Sequence, residues 1–468
     1  MQGVRDVNHL LAGHGRIDIT PPLGTHLAGS VGEHRPAEGV LDPLWARALV
    51  LEADGKRACL LTLDVTIVTA EYTQRIRQAA QQRFGLPPDA VMVHATQTHS
   101  APPIGWFMLD ADFPAVPDDL EWLRGGEKAY SDWAAERAIE AIGEAASSLV
   151  PVSLAYASGI EGRWAHNRRA VDRKGRVGMP GPGWTGGSRG PTSIRYIEGP
   201  IDPELGVICL QDEAHGRRTF IASYSCHPVH VFPRKLVSAD WPGALATRLE
   251  ELAGDPGMAL VINGACGNIN PWNPFDPGYE PDHTRMGLAL AERAWAIAGE
   301  LQPRKGAKVG HHLGHVALVL REPSAEELAW ARGVLDSHQL PTDPQGRATV
   351  LHPEWAAAAS LLSVELARRR GATLDYEVQV LRLGDAAIVG LPGEPFVEGG
   401  LAIKLASPAE ETYIAHCTTE YVGYLPTRDA FARGGHEVVT RYWAKLQPDS
   451  LERVVDAACA GLREVFGP

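Results

Sequence analysis

Apolar and polar positions alternate along the chain in a repeated strand, helix, strand pattern. Residues 46–65 (ARALVLEADGKRACLLTLDV) carry two apolar runs joined across Asp54-Gly55, a dipeptide suited to the tight turn of a hairpin. Thr69 can cap a helix that runs to Phe84, and Gly85 with Pro87-Pro88 ends it. A buried strand follows at 90–93 and runs into ATQTHSAPP, which places Gln97 and His99 just past its end. The pattern recurs at 218–230 (RTFIASYSCHPVH), with a helix from about Gly243 to Ala253 and a strand in MALVINGACGNINP at 258–271. It recurs again in AAIVGLPGEP (386–395), a helix to about Ala406, and TYIAHCTTEYVGY at 412–424. Such alternation predicts an α/β fold with a mixed, largely parallel sheet and flanking helices.

Two regions break the pattern. Residues 161–200 are rich in Gly, Arg and Trp without periodicity, which reads as a long loop insertion, and such loops are commonly functional. Residues 324–371 read as a helical insertion of two helices. No linker divides the chain, so 1–468 is expected to form one catalytic domain. An amphipathic helix beginning near Ser450 closes it.

Composition narrows the classes. A formal charge of −13 with no basic stripe argues against nucleic acid. No apolar run approaches the roughly 18 residues of a membrane span, and the N-terminal MQGVRDVNHLLAGHG lacks the apolar core of a secretion signal. Six scattered cysteines without a CxxC pair read as buried thiols in a reducing, cytoplasmic setting. Oligomeric state is not readable from the sequence.

The candidate chemistry clusters beyond strand ends, where α/β sheets bind ligands. His94 and His99 follow one strand, His227 and His230 another. Asp240 opens a helix, Glu394 ends the strand in LPGEPF, and Tyr421 follows the last. Imidazole and carboxylate donors gathered from several strand ends suit a catalytic Zn²⁺, one per chain, which lowers the pKa of a bound water to about 7.

The same residues resemble the catalytic domain of the neutral (non-lysosomal) ceramidases, most closely the shorter bacterial ceramidase-like proteins. The likeness runs from GRIDITPPLGTHLAG at 15–29 through the tyrosine segment. It implies the ceramidase fold and a zinc site built from a THTHSGP histidine, a later histidine, the glutamate of PGE and a tyrosine. These fall on Gln97, His227, Glu394 and Tyr421, with His99 at the motif's second histidine and His94, His99 or His230 available to replace the lost ligand. LVSADWPG, with Asp240, resembles LVSGDNKG; NGACGNINP resembles GDVSP, so that Asn270 stands at the nucleophilic serine. The immunoglobulin-like domain that follows in ceramidases is not expected after residue 468.

Two departures, Gln97 and Asn270, leave four readings open. The first is a metal-dependent hydrolase of an amide or related bond in a small polar or acidic substrate, using metal-activated water. There His227, Glu394, Tyr421 and His94 bind metal, while His99, His230, Asp240 and Asn270 are catalytic. The second is a metal-assisted lyase on a carbohydrate or acid, gripped by Arg163, Arg168, Arg169, Trp164 and Trp184. The third is a binding protein on the same fold, and the fourth is a true ceramidase acting on a lipid-derived substrate. In the first reading too, Arg168, Arg169 and Trp164 are the expected substrate-binding residues at the mouth of the cleft.

Overall fold

The computed structural model describes residues 9–467 apart from 31, 115, 117, 182–192, 217, 255–256, 277, 305–306 and 338–352. The main sheet has eight strands: β1 (Leu10–Asp18), β2 (Trp45–Ala53), β3 (Lys56–Leu63), β4 (Val91–Ala95), β5 (Val150–Ile160), β6 (Glu204–Asp212), β7 (Arg218–Tyr224) and β8 (Met258–Asn263). Their spatial order is β8-β7-β6-β5-β1-β2-β3-β4. A second sheet holds β9 (Val309–Val319), β10 (Thr373–Leu383), β11 (Ala386–Gly390) and β12 (Glu411–Ala415), in that order. The principal helices are α1 (Ala70–Phe84), α2 (Lys128–Ser147), α3 (Asp240–Ala253), α4 (His283–Gly299), α5 (Ala325–Ser337), α6 (Pro353–Arg370), α7 (Val397–Ala406) and α8 (Ser450–Phe466). Among the described residues no helix is long and apolar enough to cross a membrane.

The fold is α/β with a mixed sheet, as the periodicity predicts, but the main sheet is not largely parallel. Five of its seven pairings are antiparallel, and only β3–β4 and β7–β8 are parallel. The reason is connectivity. Parallel neighbours need a crossover, and α1 and α3 supply one at each end of the sheet, as α7 does for β11–β12. Two antiparallel pairs, β2–β3 and β6–β7, are hairpins, the first turning at Asp54-Gly55, where both residues have positive φ; the others join through longer connections. The three crossover units recognisable in the sequence are real; extending their direction to the whole sheet was the error.

The two sheets pack face to face, with helices on both outer faces. Period-two alternation sorts the side chains: Leu49 and Leu51 of β2 point into the inter-sheet core with Leu381 and Ile388, while Ala48 and Val50 face the core shared with α1 and α2. Helices α3 and α4 cover the other end of the main sheet, and α7 and α8 cover the second sheet. The loops after β4, β7, β8, β11 and β12 all emerge at one seam between the sheets. Ala95 there donates to the Cys417 carbonyl at 3.2 Å and His416 to the Asn263 carbonyl at 3.0 Å. That seam holds the site.

Helix α2 reaches β1 only because Gly13 and Gly15 lack side chains. A Cβ on Gly13 would lie 2.1 Å from the Ala145 carbonyl oxygen, and one on Gly15 2.2 Å from that of Ala141. Backbone cannot yield there as a flexible side chain could. Gly15→Val is therefore expected to cost about 3 kcal/mol, the upper range for overpacking. In α5, where nothing lies within 4 Å, Gly333→Ala is expected to be neutral or to stabilise by about 0.5–1 kcal/mol. Urea unfolding of both variants checks the contrast, and equal midpoints would refute it.

Candidate active site

The seam is closed first by a histidine. His94, the fourth residue of β4, donates from Nδ1 to the His416 carbonyl at 2.6 Å and accepts at Nε2 from the Asn263 amide at 3.1 Å. Both ring nitrogens are thereby committed to backbone, and burial pushes the imidazole down to about 4, keeping it neutral. The expectation that His94 replaces a missing ligand is wrong: it has no lone pair to offer. It ties the ends of β4, β8 and β12 together instead.

One layer further out lies a buried group of His227, Glu394 and Tyr421. His227 Nδ1 sits 2.7 Å from the Cys266 carbonyl and 3.1 Å from that of Ile269, so it donates there. Its Nε2 then faces Glu394 Oε2 at 3.0 Å. Two acceptors cannot stay that close unless a proton or a cation lies between them. Tyr421 donates its hydroxyl to the other carboxylate oxygen at 2.6 Å. Burial works against ionisation of Glu394, yet the hydrogen bond and charge of His227, the charge of Arg168 and the Tyr421 hydroxyl together hold it well below the usual carboxylate range. Burial and the adjacent carboxylate push the Tyr421 phenol up.

Behind this trio stands a buried charge network. Arg168 donates from Nε to Glu437 Oε1 at 2.9 Å, from Nη2 to the Tyr424 hydroxyl at 3.1 Å and from Nη1 to Asn270 Oδ1 at 3.3 Å. The same Nη1 lies 3.4 Å from His227 Nε2. Arg169 meets the other Glu437 oxygen at 2.7 Å, Glu198 at 3.0 Å and the Gly434 carbonyl at 2.7 Å. Both arginines are buried and fully engaged, which corrects their placement at an exposed cleft mouth. Asn270 is likewise a buried partner of Arg168, set behind the cavity wall. Trp164 packs against the core under α3 and α4, takes cation–π contacts from Arg163 and Arg285, and is not among the residues that wall the Glu394 cavity. Trp184 lies outside the described residues.

A cavity of about 110 Å³ opens in front, walled by Gln97, His99, Glu394, Tyr421, Tyr424 and His436 among others. His99 is half-buried on the cavity wall and pushed down to about 3, first by desolvation and then by the charge of His227, so it presents a neutral imidazole. Its backbone is fixed by a bond to the Pro228 carbonyl at 3.1 Å. Gln97 adopts a left-handed φ of 68°, which turns the chain sharply between β4 and His99. His230 and Asp240 pair with each other at 2.8 Å, away from this wall. Asp240, with φ of 55°, also accepts from the Val231 and Trp241 amides, so its role as seen is to fix the turn into α3 and orient His230. Among the described residues no three His, Cys, Asp or Glu side chains converge as a ready metal cage.

Reasoning from sequence missed Tyr424, His436, Glu437 and Trp443. Tyr424 lay three residues past a recognised tyrosine, and the Gly434-Gly435-His436-Glu437 run was the one available signal for the others.

No family model matches the chain, and no curated protein matches it. Two solved structures share the fold. One is the neutral ceramidase from Pseudomonas aeruginosa, with a TM-score of 0.71 and 20% identity over 98% of this chain and 75% of that one. The other, described as ceramidase complexed with C2, has a TM-score of 0.69 and 19% identity over 98% of this chain and 76% of that one.

Two outcomes follow from the buried charges. Glu437→Ala leaves two buried guanidiniums short of their shared carboxylate and is expected to destabilise the protein by about 3–5 kcal/mol, read as a lowered unfolding midpoint. Acid acts through the histidines: burial pushes His26 down to about 3 and His94 to about 4. An unfolded histidine titrates near 6.5, so between that value and the folded one the unfolded chain binds the extra protons. Stability should thus be full above about pH 6.5 and fall as pH falls, by up to about 1.4 kcal/mol per pH unit for each such histidine. Urea midpoints at successive pH values check the slope; a flat profile from pH 7 to 5 would sink it.

Proposed function

We propose that the chain is a hydrolase that cleaves an amide or related acyl bond in a small polar or acidic substrate, with water as the nucleophile and one zinc ion as cofactor. The observation that carries this reading is the buried contact of Glu394 with His227 and Tyr421 at the back of a cavity. The fold shared with ceramidases supports an acyl-bond substrate.

The donor set suits a divalent cation. An imidazole nitrogen, a carboxylate and a phenol converge, and the facing acceptors of His227 and Glu394 call for positive charge between them. Gln97 shares the cavity wall and offers a neutral amide where the ceramidase motif has histidine. When bound, the ion would polarise the substrate carbonyl as a Lewis acid.

The chain's own residues do the rest. Glu394 stays ionised and Tyr421 orients it. Asn270, Arg168 and Glu437 are positioning residues: the amide oxygen and Glu437 fix the guanidinium, which sets the charge behind His227 and Glu394. His99 meets the substrate as a neutral base. Held too weakly basic to keep a proton, it relays one: as the water oxygen attacks the acyl carbon, the water's proton goes by way of His99 to the departing nitrogen while the C–N bond breaks. Acid and amine are the products. A side-chain amide cannot act as a nucleophile like a hydroxyl, so no acyl-enzyme forms at Asn270.

Protein prepared with zinc and without chelator is expected to carry about one ion per chain, and Glu394→Ala to lose it. Screening N-acyl compounds for released amine, with metal content followed in parallel, tests the assignment; an empty site in zinc-supplemented protein would remove the metal. Mass spectrometry during turnover is expected to show unmodified chain, and a trapped acyl adduct would overturn direct attack by water. Asn270→Ser should not by itself create ceramide turnover, since Gln97 is unchanged.

A further inference from the structure

Tyr421 is a wall shared by two cavities. Its hydroxyl reaches Glu394, and the residue also borders a second, larger space of about 410 Å³ between α1, the end of α6 and the 441–446 segment. That space is lined by Lys445, Glu420, Arg370, Tyr442 and Trp106 beside apolar residues such as Leu374.

Lys445 is the group there without an answer. Its residue is 4% exposed, and its ammonium donates to the Tyr442 carbonyl at 3.1 Å and lies 4.2 Å over the Tyr442 ring. Among the described residues no carboxylate comes within ion-pairing distance of it, although a buried charge is costly unless paired. Of the two carboxylates whose fields it feels, Asp110 is taken by Arg370, which also holds Asp112 at 2.8 Å. The other, Glu420, stands on the cavity wall without an ion-pair partner among the described residues, and burial pushes it up. Burial pushes Lys445 down to about 8.

We propose that this second cavity is a subsite for a carboxylate of the substrate, held by the Lys445 ammonium while the acyl bond lies past Tyr421 against Glu394. Charge balance selects the class. Lys445 attracts one negative charge, while Glu420 and Glu71 on the same walls repel further charge, so a monoanion suits the space better than a phosphate dianion. Apolar residues beside the lysine suit a short aliphatic spacer between carboxylate and scissile bond. This deepens the hydrolase reading and rests on it only for what lies beyond Tyr421.

Calorimetric titration of the full-length protein with hexanoate, hexanamide and inorganic phosphate tests the subsite. Hexanoate is expected to bind at least about tenfold more tightly than hexanamide, the scale of one charge-assisted contact. Lys445→Met should erase that preference, and Lys445→Arg should keep most of it. Glu420→Gln, which removes a like charge without touching the lysine, should tighten hexanoate, and it decides the matter should Lys445→Met fail to fold. Equal binding of hexanoate and hexanamide, a preference that survives Lys445→Met, looser hexanoate in Glu420→Gln, or tighter binding of phosphate would each overturn the proposal. Glu394→Gln separates it from the reaction: hexanoate should still bind. If no N-acyl compound is turned over while hexanoate binding follows Lys445, the hydrolase reading falls and the subsite stands.

Discussion

A carboxylate sealed away from water has to be answered by the protein, and Glu394 sets that requirement for this molecule. Its two oxygens are met by an imidazole and a phenol, and a guanidinium stands a layer behind. That guanidinium is itself buried, so it needs Glu437, which in turn draws in Arg169 and through it Glu198. Each charge is tolerable only because the next one is there. The network spans the loops of both sheets, so the same interactions that ready the site also fix how the sheets meet.

Neutral groups do complementary work. His94 carries no charge at neutral pH, yet it bonds two separate loops through backbone atoms alone. A charged side chain there would need a partner the seam has no room for. The imidazole offers one donor and one acceptor on a rigid ring, which is what two strand ends facing each other require.

Much of the fold was legible because it is written in local periodicity. The three crossover units and the hairpin at Asp54-Gly55 follow from runs of a few residues. The direction of β5, β6 and β1 was not, since β5 pairs with β1 across more than a hundred residues and with β6 across a long, aperiodic connection. At the site, a His–Glu–Tyr trio was legible from residue type and placement. His94 was misread because a ligand and a backbone clamp look alike until both nitrogens are traced. Arg168 and Arg169 were misread for the opposite reason: arginines in a glycine-rich stretch look solvated, and only Glu437, some 269 residues away from Arg168, shows them to be interior.

The seam between the sheets also dictates when the site can come into being. The His94 bond to residue 416 spans 322 positions, and Arg168 waits for Glu437. Contacts of such long range form only after the intervening chain has been ordered. The β4, β7 and β8 ends can meet one another through the His99–Pro228 and His94–Asn263 bonds, but Glu394, Tyr421 and Glu437 arrive only with the last quarter of the polypeptide. During synthesis the charges around Arg168 therefore remain hydrated while the apolar faces of the main sheet are already formed. Between the completion of β8 and the arrival of β10 and β11, the nascent chain carries an uncovered sheet face, the one those two strands later fill.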